Sequence, residues 1–164
     1  MLPFGHLIFA WVIGLVIQSF SKIKISRLGW GLLFFGALIP DVDYLFSFIF
    51  GVNIHRMFFH SLLFVLILFF IVYIILKNLK LEREAYFVFI GVLSHIILDM
   101  FIFPGAMLFW PLGTWFSFYG IANVVSSFVL DFNFWRIYSF YVSFDILIGL
   151  IWLVYLYLKG KIQF

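Results

Sequence analysis

The chain has 164 residues, of which 66% are hydrophobic and only 10% are charged, against roughly 25% charged residues in soluble domains. Its mean hydropathy of +1.23 indicates a polytopic membrane protein and leaves no room for a soluble second domain. The absence of cysteine excludes disulfides, thiolate metal sites and cysteine nucleophiles. The net charge of +3 is interpreted as a topology signal and not as affinity for nucleic acid, because basic residues in membrane proteins usually report orientation.

The apolar segments predict an all-α fold, a polytopic helical bundle in one membrane domain, residues 1–164. A membrane helix needs about 20 apolar residues, so the length allows about five membrane segments. They are predicted at residues 4–20, 28–40, 55–76, 85–103 and 136–158. Pro40 should end the second, because proline disfavours helix in the residue before it. Residues 44–50 suit a short interfacial or re-entrant helix, and residues 121–130 are too short to span with confidence.

The basic residues predict the orientation of the bundle. Eight of the ten fall in the first loop, in the turn near residue 80 or at the C-terminus, whereas Arg56 and Arg136 fall on the other side. Cytoplasmic loops are enriched in Lys and Arg. We therefore expect a multi-pass protein of the cell (inner) membrane with its N-terminus outside and its C-terminus in the cytoplasm.

All four histidines and three of the seven acidic residues then converge on the outer side of the membrane. Ionisable residues within membrane segments are rare and are functional candidates by default. The candidate metal ligands are His6, Asp41, Asp43, His55, His60, His95 and Asp99. The non-functional alternative is a buried polar network that holds the helices together.

Three short motifs carry these residues. His95 and Asp99 are four residues apart and so share one face of a helix, as ligands of one ion or as an intramembrane hydrogen-bonded pair. In "PDVD", Asp41 is equally interpreted as a ligand or as the cap of the following helix.

In "HRMFFHS", His55 and His60 are five residues apart, so on one regular helix their rings do not share a face. If both bind, either the helix starts between them or they are ligands of different ions. A helix starting at residue 54 after an Asn53 cap favours the second option, with His60 the firmer ligand. Arg56 either binds a phosphate or carboxylate or extends to the outer headgroups. Ser61 is expected to bond the preceding helical turn.

Nitrogen and oxygen ligands without thiolates suit zinc, manganese or iron. Catalytic zinc typically takes three protein ligands and keeps one position open. Seven candidates would therefore hold one ion with supporting residues, or two ions. We expect a divalent metal, with zinc first.

The order of motifs resembles the YdjM-like family of predicted inner-membrane metal-dependent hydrolases. These residues are His6, "ALIPDVD", "HRMFFHS", "GVLSHIILD" and "GAMLFWPL", against a family pattern of PDxD, HRxxxHS, GxxxHxxxD and a glycine followed by WP. The resemblance covers residues 6–112 and a closing apolar span that contains Asp145. It implies an integral-membrane metallohydrolase.

A more distant resemblance is to zinc-dependent phospholipase C and related single-strand nucleases. His95 and Asp99 fit the His-x-x-x-Asp helix of those enzymes, and Asp41 or Asp43 would be their acidic ligand. The chain lacks a second such helix, since its final span has Asp145 but no histidine. This departure favours one or two ions over three.

The expected function is hydrolysis of a phosphoester, such as a lipid-linked phosphate, at the outer membrane interface, with membrane lipids as partners. Asp41 or Asp43 would be the general base and Arg56 would bind the substrate phosphate. The loop of residues 104–120, with Trp110 and Trp115, would cover the site or dip into lipid. The alternatives are a metal or proton transporter and a non-catalytic membrane protein with a structural polar or metal site. Polar residues through the full membrane depth would favour the transporter.

Overall fold

The computed structural model describes residues 3–51, 54–101, 105–118 and 134–160, with side chains from residue 142 onward in the last range. The described residues confirm the all-α prediction, since their regular structure is helical apart from one isolated β-bridge between Ala106 and Phe116. The α-helices described are α1 (Pro3–Ser21), α2 (Arg27–Leu38), α3 (Val42–Phe50), α4 (Leu62–Asn78), α5 (Ala85–Asp99) and α6 (Phe134–Leu158).

Two helical stretches in the described part are long and apolar enough to cross a membrane. They are Pro3–Ser21 and the run Arg27–Phe50, in which α2 and α3 follow one another. The apolar stretches Leu62–Asn78 and Val142–Leu158 are shorter. Five membrane segments therefore stay a prediction, and residues 121–130 lie outside the described residues.

The predicted boundary at Pro40 is confirmed. Helix α2 ends at Leu38, a single 3-10 turn covers Ile39–Asp41, and α3 follows directly. Gly51 closes α3 with a φ of +66°, a left-handed conformation that glycine adopts without a steric penalty. The segment of residues 44–50 is thus a short helix, as expected.

The helix predicted to begin near His55 begins at Leu62 instead. Ser61 is the reason, because its hydroxyl oxygen accepts the Phe64 N–H at 3.2 Å and so caps α4. The same hydroxyl donates to the Phe58 carbonyl at 2.6 Å, which is the bond to the preceding turn that the sequence suggests. His55 and His60 therefore lie in irregular turns, and the helical-face argument that separated them does not apply.

Helices α2 and α5 run parallel in backbone contact at Gly36 and Gly91. A Cβ atom on Gly36 would collide with the Val88 carbonyl oxygen, and one on Gly91 would collide with the Leu33 carbonyl oxygen. Small residues permit this approach in membrane helices. The crossing brings the end of α2 beside the last two turns of α5.

Helix α6 runs parallel to α1, and the Asp145 carboxylate on α6 accepts hydrogen bonds from the backbone at the start of α1. Its two carboxylate oxygens accept the backbone N–H groups of Phe4 at 3.1 Å and Gly5 at 2.8 Å. First-turn N–H groups of a helix have no partner within the helix. Asp145, whose role the sequence leaves open, therefore caps α1.

The bundle is polar inside at one end and apolar on its outer surface. The largest fully buried side chains include His6, His60, His95, Asp43 and Asp99. The exposed face of α4 is formed by large apolar residues such as Leu66, Phe70 and Ile74. This arrangement inverts the usual pattern of a soluble protein and suits a lipid environment.

We expect Gly36→Ala to lower the free energy of unfolding by about 1–3 kcal/mol, the usual range for overpacking. The added methyl group meets backbone atoms of α5, which cannot rotate away. Thermal unfolding of the purified protein in detergent, followed by circular dichroism, measures the change.

Gly31→Ala is the matched control, because it lies in the same helix and a Cβ there meets nothing within 4 Å. We expect it to be neutral or slightly stabilising, since alanine favours helix over glycine. Equal unfolding temperatures for the two variants would contradict the backbone contact.

Candidate metal centre

Four side chains, three of them fully buried, meet at the polar end of the bundle: Asp41, His60, His95 and Asp99. One ligand atom from each lies within 4.8 Å of all the others. Asp41 ends the 3-10 turn after α2, His60 ends the 3-10 turn before α4, and His95 and Asp99 occupy the last turns of α5. His60, His95 and Asp99 are fully buried, and the Asp41 side chain is 17% exposed. We call these residues the four-residue group.

The spacing within the four-residue group suits a small divalent cation. His60 Nε2 lies 3.1 Å from His95 Nε2 and 3.3 Å from Asp99 Oδ2. His95 Nε2 lies 3.5 Å from Asp41 Oδ1 and 3.7 Å from Asp99 Oδ2, and His60 Nε2 lies 4.0 Å from Asp41 Oδ1. A tetrahedral zinc ion with bonds of about 2.0–2.1 Å holds its ligand atoms about 3.3–3.4 Å apart. The observed distances bracket that value.

The outer nitrogen of each histidine faces an oxygen atom, and that of His95 forms a hydrogen bond to it. His95 Nδ1 lies 2.6 Å from the Ala37 carbonyl oxygen, to which it donates, and His60 Nδ1 lies 3.2 Å from Asp43 Oδ2. In a neutral ring with its proton on Nδ1, Nε2 carries a lone pair. Two such lone pairs then face each other across 3.1 Å. A cation between the two nitrogens removes the repulsion, and so does a proton on one of them.

Asp43 holds its neighbours in place from behind the four-residue group. Its carboxylate accepts the His55 Nδ1–H at 2.8 Å and the Arg56 backbone N–H at 2.9 Å, in addition to its contact with His60. Asp43, His55 and His60 also form a second group with metal-ligand spacing. Because N–H donors already occupy both Asp43 oxygens, this second group fits an ion less well than the first.

Arg56 faces inward and pairs with Asp99. Its Nε lies 3.2 Å from Asp99 Oδ2 and its Nη2 lies 3.4 Å from Asp99 Oδ1. The Arg56 backbone has a φ of +63°, a conformation that is uncommon for a residue with a side chain. This turn lets the backbone N–H reach Asp43 while the guanidinium reaches Asp99. With neutral histidines, three carboxylates and one guanidinium leave the site with a net charge of −2.

His6 lies against the four-residue group from α1. Its ring stacks on His95 with centroids 3.7 Å apart, and its Nε2 is 3.6 Å from Asp99 Oδ1. Neither of its ring nitrogens forms a hydrogen bond within the described part of the chain. A buried imidazole without hydrogen bonds is destabilising, so His6 is a further candidate ligand.

The site reaches the surface at Asp41 and His55, which we call the mouth. The His55 side chain is 16% exposed and its ring stacks on Tyr44 with centroids 3.8 Å apart. Asp41 stands at the N-cap position of α3, but its side chain makes no capping hydrogen bond. The carboxylate therefore points to the histidines, as a ligand would, and the capping interpretation is wrong.

The structure brings all seven sequence-predicted ligands to one end of the bundle, but it gives them different surroundings. Asp41, His60, His95 and Asp99 form the compact group, His6 borders it, and Asp43 and His55 form a hydrogen-bonded pair beside it. The Ala37 carbonyl and the Tyr44 ring were missed. A backbone carbonyl carries no sequence signal, and Tyr44 sits in an apolar run that looks like ordinary membrane surface.

Comparison with known proteins gives one match. The family model described as YdjM inner membrane protein matches residues 1–162. No curated protein and no solved structure matches the chain, so similarity to zinc-dependent phospholipase C stays a prediction. The family description places its members in the inner membrane, in agreement with the apolar surface of the bundle. The match covers nearly the whole sequence, and this chain therefore belongs to the YdjM inner membrane protein family.

Proposed function

We propose that the chain is an integral-membrane metallohydrolase that cleaves a phosphoester, such as a lipid-linked phosphate, at the outer face of the membrane. One observation carries the proposal: two imidazole Nε2 atoms and two carboxylates converge at the polar end of the bundle, while His95 Nδ1 donates a hydrogen bond to the Ala37 carbonyl and His60 Nδ1 lies 3.2 Å from Asp43. Metal-binding histidines typically have their second nitrogen held in this way.

The charge of the site supports a bound metal ion over a polar network without a metal. With neutral histidines, the net charge of −2 lies in a buried environment, where uncompensated charge is strongly unfavourable. One divalent cation at the four-residue group compensates it. Asp41, His60, His95 and Asp99 would hold that ion, with His6 beside it. When bound, the ion would polarise a phosphoryl oxygen and make a water molecule more acidic.

His55 is placed to move a proton at the mouth. Asp43 holds the proton of His55 on Nδ1, so the Nε2 atom of a neutral His55 is a free base. Nε2 is buried and forms no hydrogen bond within the described residues. A positioned imidazole of this kind serves as general acid or base. Asp43, fully buried and occupied by N–H donors, orients His55 and His60 and does not contact the substrate.

Arg56 neutralises Asp99 and keeps its carboxylate oriented toward the histidines. Binding of the substrate phosphate by Arg56 would require the guanidinium to be shared with Asp99. Asp41, which is exposed at the mouth, is the better candidate for contact with water or with the substrate.

The position of the site favours a substrate at the membrane surface over a transported ion. The mouth lies beside the amphipathic helix α3, and the core directly beneath the four-residue group is apolar in the described part, with Leu33, Val88 and Val92 fully buried. A transport path needs polar groups through the membrane.

Metal content tests the proposal directly. We expect about one zinc or other transition-metal ion per chain in purified wild-type protein, measured by inductively coupled plasma mass spectrometry. His60→Ala and His95→Ala should lose it, because each removes a ligand of the four-residue group. His55→Ala is the matched control and should keep the ion.

The rival functions predict other outcomes. Wild-type protein without a transition metal, with His60→Ala changing only the unfolding temperature, would indicate a structural polar network. Metal uptake into sealed proteoliposomes would indicate a transporter. Loss of the ion in His55→Ala would move the metal to the second group, with Asp43.

Activity tests the role of His55. Against a phosphomonoester lipid such as phosphatidic acid, we expect His55→Ala to lower kcat by about 10²–10⁴-fold, the usual contribution of general acid–base catalysis. The bound metal should be unchanged. A kcat equal to that of the wild type would exclude His55 from proton transfer.

Cysteine labelling tests the orientation. Because the chain has no cysteine, Thr114→Cys and Asn78→Cys each create one reactive thiol at an exposed position. In whole cells, a membrane-impermeant maleimide should label Thr114→Cys near the site. It should reach Asn78→Cys only after permeabilisation, and the reverse result would invert the topology.

A further inference from the structure

We infer that an apolar groove beside the metal centre binds the hydrocarbon chain of the substrate, so that the enzyme acts on a single-phosphate lipid held by its tail and its headgroup together. Binding of the lipid headgroup at the metal centre rests on the proposed function. Binding of the hydrocarbon tail rests on the groove.

The groove has a volume of about 360 Å³ and is lined by Ile54, Met57, Phe58, Phe59 and Trp110. Pockets of roughly 300–1,000 Å³ with apolar and aromatic walls are typical of small-molecule sites. The side chains that line the groove are large and apolar, and none of them is charged. A polar or charged ligand would therefore find no partner in the groove, whereas a hydrocarbon chain would.

The segment of residues 55–61 contributes side chains to both the groove and the metal centre. His55, Arg56 and His60 are turned toward the four-residue group, and Met57, Phe58 and Phe59 between them line the groove. The 3-10 turn at Phe58–His60 makes this division possible, because adjacent side chains there point in different directions. A ligand that is polar at one end and apolar at the other matches the two halves of the segment.

Trp110 is held against the groove by backbone hydrogen bonds. Met107 donates its N–H to the Arg56 carbonyl at 3.0 Å, and Leu62 donates its N–H to the Leu108 carbonyl at 2.9 Å. The Trp110 ring then meets the edge of Phe58 with centroids 5.2 Å apart. The loop of residues 105–118 therefore forms one wall of the groove, and Trp115 lies on the outside of the same loop at 41% exposure.

The surroundings favour a lipid chain over an apolar peptide. Two elements next to the groove carry large exposed apolar side chains. Helix α3, whose Phe46 stacks on Phe59, exposes Phe48, Ile49 and Phe50, and the loop that carries Trp110 exposes Phe109 and Leu112. Contiguous exposed apolar surface in a membrane protein marks contact with lipid. A lipid can therefore enter the groove sideways, with its phosphate at headgroup depth.

Photolabelling of the purified full-length protein in detergent tests the inference. The probe is phosphatidic acid with a diazirine near the end of one acyl chain, and the labelled peptides are identified by mass spectrometry. We expect labels at Met57, Phe58 and Trp110. Met57→Trp should reduce this labelling several-fold, because the larger side chain fills the groove. Ile54→Phe is a second filling variant in case Met57→Trp does not fold.

Ile74→Trp is the matched control, because it adds an indole to the lipid-exposed face of α4 near its far end and should leave the groove labelling unchanged. A diacylglycerol carrying the same diazirine, but no phosphate, should label the groove more weakly than phosphatidic acid. Equal labelling by the two probes, or labelling that neither filling variant reduces, would overturn the inference. Competition by an apolar helical peptide but not by unlabelled phosphatidic acid would also overturn it.

The labelling reports binding and not turnover, so the two proposals fail separately. Groove labelling that depends on the phosphate, in a protein without metal-dependent hydrolysis, supports the groove and rejects the hydrolase. Metal-dependent hydrolysis with no label in the groove supports the hydrolase and rejects the groove.

Discussion

The structure depends on the burial of charge in an apolar surrounding. Three carboxylates, four imidazoles and a guanidinium occupy one end of a bundle whose outer surface is hydrocarbon. Such groups are tolerated only when each is paired or coordinates a cation. The local architecture meets much of this demand: Asp43 accepts hydrogen bonds from His55 and from the Arg56 backbone, Ala37 accepts one from His95, and Arg56 pairs with Asp99 from a left-handed backbone conformation. The residual charge and the facing Nε2 atoms are what a divalent ion would satisfy.

The elements that position the ligand side chains differ from the elements that surround the opening of the site. The Gly36–Gly91 contact sets the position of Asp41 relative to His95 and Asp99 through backbone atoms alone. The turn before α4 then adds His60, whose other nitrogen lies 3.2 Å from Asp43. The short helix α3 and the loop of residues 105–118 surround the access to the site, and both carry exposed aromatic side chains.

The sequence predicted the membership of the site better than the roles within it. Histidine and aspartate in an apolar chain are conspicuous because their burial is unfavourable, and the predicted orientation of the segments brought all seven together. The division of labour between Asp41 and Asp43 was not predictable, since it depends on the 3-10 turn at Ile39–Asp41. The start of α4 was predicted wrongly because asparagine and serine are both good caps. Asn53 lies outside the described residues, and the hydrogen bonds of Ser61 set the start of the helix at Leu62. The cap provided by Asp145 requires α1 and α6 to be neighbours, which no local pattern indicates.

The parallel pairing of α1 with α6 has a consequence for assembly. Asp145 lies far along the chain, yet its carboxylate satisfies the first backbone N–H groups of α1, and His6 follows directly after them. During synthesis, α1 enters the membrane with these donors unsatisfied and with His6 lacking its final packing. Helix α6 completes the packing of α1, so the candidate metal centre reaches its final packing only after α6 has been made. A chain truncated before α6 would therefore retain all seven predicted ligands and still present an incompletely packed site.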